Sequence, residues 1–262
     1  MAGATVWSLL LVGLAVGSAR QDTPTVREQH GIDEARPVGH RAAVDLVAAV
    51  GDAGVVVLGA ERLSGSCRIT PVRPGAELTR VLTAYTDAGS GPALLDRIAQ
   101  RLPASYGART RHSDTGVSRL GADAGDFVAV RGNLVRPGVV ELRISTGCRP
   151  AESGAASTAG PPDEGEDEPA RLLALLGATA VQAEQPVAVP CPAGGWLRSW
   201  VAAGTGPAEQ LAEALAAEVG AGASVVADTS PLYAYRDGDA GTVVEADGDQ
   251  IWVARTRSGC AS

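Results

Sequence analysis

Four cysteines, Cys67, Cys148, Cys191 and Cys260, are the residues whose chemistry the sequence defines best. No two of them are close in sequence, and no histidine flanks them at the spacing of a zinc site. A nucleophilic thiol also needs a nearby base, and no histidine accompanies any of the four. Disulfide formation is therefore the favoured chemistry, and four cysteines permit three different pairings.

Two acidic triplets, Asp237-Gly238-Asp239 and Asp247-Gly248-Asp249, resemble fragments of calcium-binding loops. A calcium loop continues with further oxygen ligands and ends in a bidentate glutamate, and neither triplet is followed by such a series. Asp-Gly steps are also typical of tight turns between antiparallel strands. We therefore predict hairpin turns at both triplets, with no metal site and no cofactor.

The sequence contains none of the common catalytic motifs. We find no Gly-x-Ser-x-Gly elbow, no phosphate-binding glycine-rich loop, no His-Glu-x-x-His and no Cys-x-x-Cys. The three histidines, His30, His40 and His112, are too far apart to indicate a cluster. Carboxylate pairs cannot be recognised without a fold, so the absence of motifs lowers the case for an enzyme without excluding one.

One basic cluster lies in the first half of the chain and consists of Arg109, Arg111, His112 and Arg119. Such a cluster can contact an anionic polymer. Alternating charged residues are equally typical of the solvated face of a strand, which is the interpretation that we favour.

Five aromatic residues of the second half are candidates for a binding face: Trp196, Trp200, Tyr233, Tyr235 and Trp252. Trp196 and Trp200 share one face of a predicted strand, as do Tyr233 and Tyr235. A row of exposed aromatic side chains would form a platform for a glycan or a peptide. The alternative, which we favour, is that a chain with one Phe fills its core with Trp and Tyr.

The stretch from Cys67 to Cys148 and the stretch from Cys191 to Cys260 follow the same plan. Each begins with Cys, reaches a Gly-(Ser/Thr)-Gly-Pro-Ala motif, continues through a helical pattern to Asp-Ala-Gly, and ends in Gly-Cys. The matching motifs are 89–93 and 204–208, 123–125 and 239–241, and 147–148 and 259–260. This repeat favours the pairs Cys67–Cys148 and Cys191–Cys260, each worth about 4.5 kcal/mol in the chain-entropy model.

Apolar spacing and turn residues predict an α+β fold of two tandem homologous domains, each a mostly antiparallel sheet with two helices and one disulfide. We predict helices at 42–50, 92–102, from about Pro169, and at 207–219. We predict strands at 55–58, 78–85, 179–189 and 196–202, and closing hairpins of 127–131 with 139–145 and of 242–246 with 250–256. Asp247-Gly248 forms the turn of the second hairpin, and Arg131-Gly132-Asn133 occupies the matching place in the first.

The chain divides into five segments. Residues 1–19 are a signal peptide or a membrane anchor, 20–40 a polar stalk, 41–149 the first repeat, 150–168 an acidic Pro/Gly linker, and 169–262 the second repeat. The apolar run of residues 2–19 is long enough for either role. Basic residues follow this run and do not precede it, which is unusual for an exported chain.

Composition limits where the protein works. All 22 basic residues are arginine, and the net charge of −8 argues against nucleic-acid binding. Paired cysteines are typical of oxidising compartments, so we expect an extracytoplasmic protein, anchored or secreted. A cytoplasmic protein with four free thiols remains the alternative if residues 1–19 are neither signal nor anchor.

The second repeat, with its DGDAG, ADGD and terminal GC patterns, resembles uncharacterised exported proteins of GC-rich Gram-positive bacteria. That resemblance implies an exported protein and no particular activity. We expect a non-catalytic, envelope-associated interaction or structural module with an envelope or extracellular partner, and with membrane contact through residues 1–19 if they are not cleaved. The alternative is a secreted hydrolase that uses carboxylates in the cleft between the repeats.

Overall fold

The structure, a computed structural model, describes residues 30–150, 167–206, 211–216, 218–220 and 222–261. The predicted signal or anchor segment and most of the predicted linker lie outside these residues. So do the first residues of the helix predicted at 207–219.

Each repeat contains two helices and seven strands among the described residues. The first repeat comprises α1 (Ile32–Val50), β1 (Val55–Leu58), β2 (Arg62–Thr70), β3 (Arg73–Tyr85), α2 (Gly91–Arg101), β4 (Arg109–His112), β5 (Ser118–Asp123), β6 (Ala129–Arg136) and β7 (Val139–Arg149). The second comprises α3 (Glu168–Leu175), β8 (Thr179–Ala183), β9 (Val187–Pro190), β10 (Gly195–Thr205), α4 (Leu211–Leu215), β11 (Ser224–Thr229), β12 (Leu232–Asp237), β13 (Ala240–Asp247) and β14 (Gln250–Cys260).

The two sheets have the same topology. The first has the strand order β1-β3-β7-β6-β5-β4, with β2 paired to the free part of β3. The second has the order β8-β10-β14-β13-β12-β11, with β9 paired to β10 in the same way. All the pairings are antiparallel. The predicted fold class of two similar α+β domains is therefore confirmed.

Both predicted disulfides are present. Cys67 on β2 is bonded to Cys148 on β7, and Cys191, just after β9, is bonded to Cys260 at the end of β14. The two bonds join equivalent places in the two sheets. Two disulfides of this kind point to an extracytoplasmic location.

The helices of each domain cover one face of its sheet. In the first domain, Leu46 of α1 and Leu95 of α2 are buried in one cluster with Leu82 and Leu142 of the sheet. In the second domain, Leu172 and Leu173 of α3 and Leu211 and Leu215 of α4 are buried with Tyr233, Tyr235, Val244 and Val253, whereas Leu175 of α3 is exposed. The apolar spacing that predicted these helices thus corresponds to their buried sides.

The opposite faces of the two sheets meet in part. Val55, Tyr85 and Val139 of the first domain are buried together with Leu232, Ala234 and Val243 of the second. The Trp252 ring lies 5.9 Å from the Tyr85 ring, measured between centroids. This contact covers the second domain's sheet and a limited part of the first domain's sheet.

The prediction of a polar stalk was wrong for residues 32–40, which form the first half of α1. Ile32, Ala35 and Gly39 are buried on one side of the helix. Pro37 lies inside the helix, where its missing N–H removes one intrahelical hydrogen bond. Tertiary burial outweighs that local cost, which local propensity alone does not reveal.

The two closing hairpins differ in how well their turns were predicted. Gly248-Asp249 forms the β13–β14 turn, one residue later than the predicted Asp247-Gly248, with Gly248 at a φ of 62°. Arg131-Gly132-Asn133 lies within β6, and the β6–β7 turn is at Pro137-Gly138. Gly132 serves packing, because a Cβ there would lie 2.9 Å from Leu95 Cδ2 on α2. The single strand predicted at 179–189 is two strands, β8 and β9.

Candidate functional site

The five aromatic candidates do not share one surface. Tyr233 and Tyr235 are buried beneath α3 and α4, and Trp252 lies between the two sheets against Tyr85. Trp200 is buried and Trp196 is half-buried. Only the two tryptophans of β10 line a surface groove together.

That groove lies at one end of the helix-covered face of the second sheet. Its lining includes Trp196, Arg198, Trp200, Asp239 and Arg257, and its volume is about 270 Å³. The Arg198 guanidinium carbon lies 5.9 Å from the centre of the Trp196 ring, and Arg257 Nε donates to Asp239 Oδ2 over 3.1 Å. Ligand binding by this tryptophan pair remains a prediction.

The cleft between the domains holds a cavity of about 260 Å³. Val44 and Val47 of α1 line one side, and Arg236, Asp239 and Thr256 of the second sheet line the other. Acid–base hydrolysis of a glycosidic bond generally uses two carboxylates that flank the scissile bond. Asp239 is the single carboxylate among the described lining residues. The hydrolase alternative stays a prediction.

The His112 ring is held by two hydrogen bonds. Its Nε2 lies 3.0 Å from Asp96 Oδ1, and its Nδ1 lies 2.9 Å from Ser118 Oγ. Hydrogen bonds from Thr110 and His112 lower the pKa of the Asp96 carboxyl below its usual value. The residues that the structure describes contain no group of three metal-ligating side chains placed to hold an ion. His112 instead connects β4 to α2.

A charged surface lies on the first sheet, on the face opposite α1 and α2. We call it the arginine face and define it by five exposed residues: Arg109, Arg111, Arg119, Arg131 and Arg143. Side chains of successive strand residues point to opposite faces, so Arg143 points away from its buried neighbours Leu142 and Ile144. The pairing register places all five arginines on this one face of β4–β7.

The guanidinium groups of the arginine face lack acidic partners. Among the described residues, no carboxylate lies within salt-bridge distance of any of the five. Arg131 is directly opposite Arg143, and Arg111 is directly opposite Arg119. Like charges in directly opposed positions destabilise a sheet by roughly 0.2–1 kcal/mol per pair. The two opposed arginine pairs therefore carry a small cost, and Glu77 and Glu141 are the carboxylates on the same face.

The second domain shows that this topology does not require the arginines. Residues of β7 and β14 can be matched by counting from the turns that precede them, and the pairing register extends the match to the next three strands. The matches are Arg143 with Ala254, Arg131 with Val243, Arg119 with Leu232, and Arg109 with Ala227. All four counterparts are buried and apolar. The same face is therefore an internal contact in one domain and an open cationic surface in the other.

The net charges of the two domains have opposite signs, and the first domain, which carries the arginine face, is the positive one. Residues 41–149 contain 14 Arg and 10 Asp or Glu, a net charge of +4. Residues 169–262 contain 5 Arg and 10 Asp or Glu, a net charge of −5. The overall negative charge therefore conceals a positive first domain.

Sequence reasoning found part of this surface. Arg109, Arg111 and Arg119 belonged to the predicted basic cluster, and the structure adds Arg131 and Arg143 from the next two strands. The pairing register of the strands was the missing information, because Arg131 and Arg143 lie far from the predicted basic cluster in sequence. The sequence signal that could have found them is the alternation of apolar and polar residues along β6 and β7.

Comparison with known proteins identifies no family. No family model and no curated protein matches the chain. One similar solved structure is a DUF4853 family protein from Actinomyces odontolyticus, which is 13% identical, with a TM-score of 0.38, over 62% of this chain and 89% of that one. Its source is a GC-rich Gram-positive bacterium, the group that the sequence resemblance named. A likeness at this level supports no functional argument.

Within the part of the chain that the structure describes, no helix combines the length and the apolarity that crossing a bilayer requires.

Proposed function

We propose that this protein is a non-catalytic binding module of the extracytoplasmic envelope, and that it holds an anionic polymer on the arginine face. One observation carries the proposal. An open sheet face bears five guanidinium groups without a salt-bridge partner among the described residues, whereas four of the five equivalent positions in the sister domain are apolar and buried.

The chemistry of the face fits a polymer better than a single small anion. Each guanidinium presents a planar set of donors that matches a carboxylate or a phosphate. An exposed charge pair contributes at most about 1 kcal/mol, so one such contact binds weakly. Neighbouring strands lie about 4.8 Å apart, which lets successive charges of one chain reach several arginines. The linked contacts then raise the affinity together.

The location of the protein is part of the same proposal. Residues 1–19 export the chain, and its disulfides form outside the cytoplasm. N-terminal sequencing of the protein from its host distinguishes the two export modes. A chain beginning near Arg20 indicates a cleaved signal peptide, and one beginning at Met1 indicates a membrane anchor.

Poly-L-glutamate is a suitable first probe, because it carries one carboxylate per residue and no sugar ring. We expect the full oxidised chain to bind it in a titration at low ionic strength, and we expect added salt to weaken the binding. The double variant Arg131→Gln/Arg143→Gln should bind about tenfold more weakly, because two exposed charge contacts are lost.

Arg97→Gln/Arg101→Gln is the matched control, since it removes the same charge from exposed positions on α2, which covers the opposite face of the sheet. It should keep most of the affinity. Equal losses in the two double variants, or no binding of wild type at low salt, would contradict the proposal. Binding only to vesicles that contain an anionic phospholipid, with no binding to the polymer, would also contradict it.

A further inference from the structure

The single Phe of the sequence lies beside the arginine face in an unusual turn. Phe127 belongs to the segment of residues 124–128, which joins β5 to β6, and its side chain is 45% exposed. Asp126 and Phe127 have φ angles of 49° and 56°, in the left-handed region that residues other than glycine seldom occupy. Such strain persists only where the surrounding structure enforces it.

A buried arginine holds this turn in place. Arg149 is fully buried, and its Nη1 donates to Asp126 Oδ2 over 3.1 Å, while its Nη2 donates to the Asp126 carbonyl. Its Nε donates to the Thr146 carbonyl over 2.8 Å, which fixes the guanidinium against β7. The turn is thus fastened at the residue that precedes Phe127, so the ring is held outward by a rigid support.

The exposed ring forms one wall of a groove on the arginine face. The groove has a volume of about 340 Å³, and its lining includes Phe127, Arg131, Arg143, Glu77 and Ser145. Ser145 Oγ donates to Glu77 Oε1 over 2.5 Å. The groove therefore combines an aromatic ring, two cationic forks, a carboxylate acceptor and a hydroxyl.

The second domain lacks an equivalent of the turn that carries Phe127. Its corresponding turn, between β12 and β13, consists of Gly238 and Asp239 and contains no aromatic residue. The longer turn and its Phe are therefore not needed to join these two strands. An exposed aromatic ring on a strained, fastened turn needs another explanation, and a ligand contact supplies one.

We infer that the polymer is an acidic glycan, whose sugar ring stacks on Phe127 while its carboxylate or phosphate group binds Arg131 and Arg143. This inference rests on the proposed function, because it assigns a chemical class to the same ligand. The apolar face of a sugar ring matches the exposed phenyl ring, and Glu77 accepts from sugar hydroxyls. A polymer without rings would use the arginines alone.

Three soluble probes separate the contributions of charge and ring. Polygalacturonate has one carboxylate on each sugar ring, poly-L-glutamate has the charge without the ring, and dextran has the ring without the charge. We expect the full chain to bind polygalacturonate about fivefold to tenfold more tightly than poly-L-glutamate of equal charge, and dextran not measurably.

Phe127→Ala should abolish that preference and leave the affinity for poly-L-glutamate unchanged. Val72→Ala, which removes an apolar side chain that is 90% exposed on the β2–β3 turn, is the control and should keep the preference. Thermal unfolding of Phe127→Ala verifies that the variant is folded.

The outcomes of these tests distinguish the acidic-glycan inference from the proposed binding of an anionic polymer. Equal affinity of wild type for the two polyanions, or a preference that survives Phe127→Ala, overturns the acidic glycan and leaves the polyanion function standing. Failure of wild type to bind either polyanion overturns both. A Phe127→Ala variant that loses both polyanions equally shows that the turn supports the arginines and overturns the ring contact.

Discussion

Arg149 shows at the scale of single residues how the first domain supports its candidate site. It is the largest fully buried polar side chain, and it connects the end of β7 to the turn that carries Phe127. A buried charge is tolerated when hydrogen bonds satisfy it, as here, and removing one partner leaves the other without compensation.

Replacing Arg149 by Met should therefore destabilise the protein by roughly 3 kcal/mol, since the Asp126 carboxylate would lose its buried partner. Urea unfolding of the oxidised protein measures this change. The control Arg73→Met, at an exposed position, should change the free energy of unfolding by less than about 0.5 kcal/mol. A small effect at Arg149, comparable to the control, would show that the turn does not depend on it.

Residue types were easier to predict from the sequence than residue partners. The disulfide pairs followed from the repeat, and the two acidic triplets located the hairpin turns, although each turn lies at Gly-Asp and not at the preceding Asp-Gly. Arg131, Arg143 and Phe127 were not recognised as one group, because only the strand register and the length of the β5–β6 turn bring them together. Arg149 carried no local signal at all, since burial of an arginine depends on tertiary partners.

At the scale of elements, α1 is the clearest departure from expectation. It is fastened to the sheet by Glu61, which has 6% side-chain exposure and lies between β1 and β2. Glu61 Oε1 accepts from Arg36 Nε over 2.9 Å, and His40 Nε2 and Arg80 Nη2 each lie 3.4 Å from Glu61 Oε2. Two of these partners belong to the segment predicted as a stalk.

Burial alone would raise the pKa of Glu61. The hydrogen bond from His40 and the charges of Arg80 and Arg36 outweigh burial and lower that pKa below its usual value of 4.5. The folded protein therefore binds this proton less readily than the unfolded chain. Glu61 stabilises the fold at pH values above about 4.5, and its contribution is lost as the pH falls through its lower, folded-state pKa.

Glu61→Gln should reduce this loss of stability on acidification, as measured by urea unfolding between pH 6 and about pH 3. It should also lower stability at neutral pH, because Arg36 and Arg80 lose their acidic partner. Some pH dependence should remain, since hydrogen bonds lower the pKa of Asp96 and Glu168 as well. Glu184→Gln, at an exposed position, is the control, and an unchanged pH profile in Glu61→Gln would contradict the assignment.

At the scale of the whole molecule, two domains with one topology use the same sheet face in different ways. The second domain buries that face against Val55, Tyr85 and Val139, whereas the first domain keeps most of its own face open. The repeat was visible in the sequence, but this divergence was not, because it depends on which residues the register places on each face. The net charge of −8 likewise hid the positive first domain, because the second domain and the segments outside both domains are negative.

The central claim is that an anionic polymer binds on the arginine face, and arginine footprinting tests it most directly. The full oxidised chain is treated with phenylglyoxal in the presence and absence of polygalacturonate, and labelling at each arginine is read by mass spectrometry. We predict protection of Arg109, Arg111, Arg119, Arg131 and Arg143, with Arg97 and Arg101 of α2 labelled equally in both samples. Protection of Arg97 and Arg101 to the same degree, or protection of none of the five, would contradict the account.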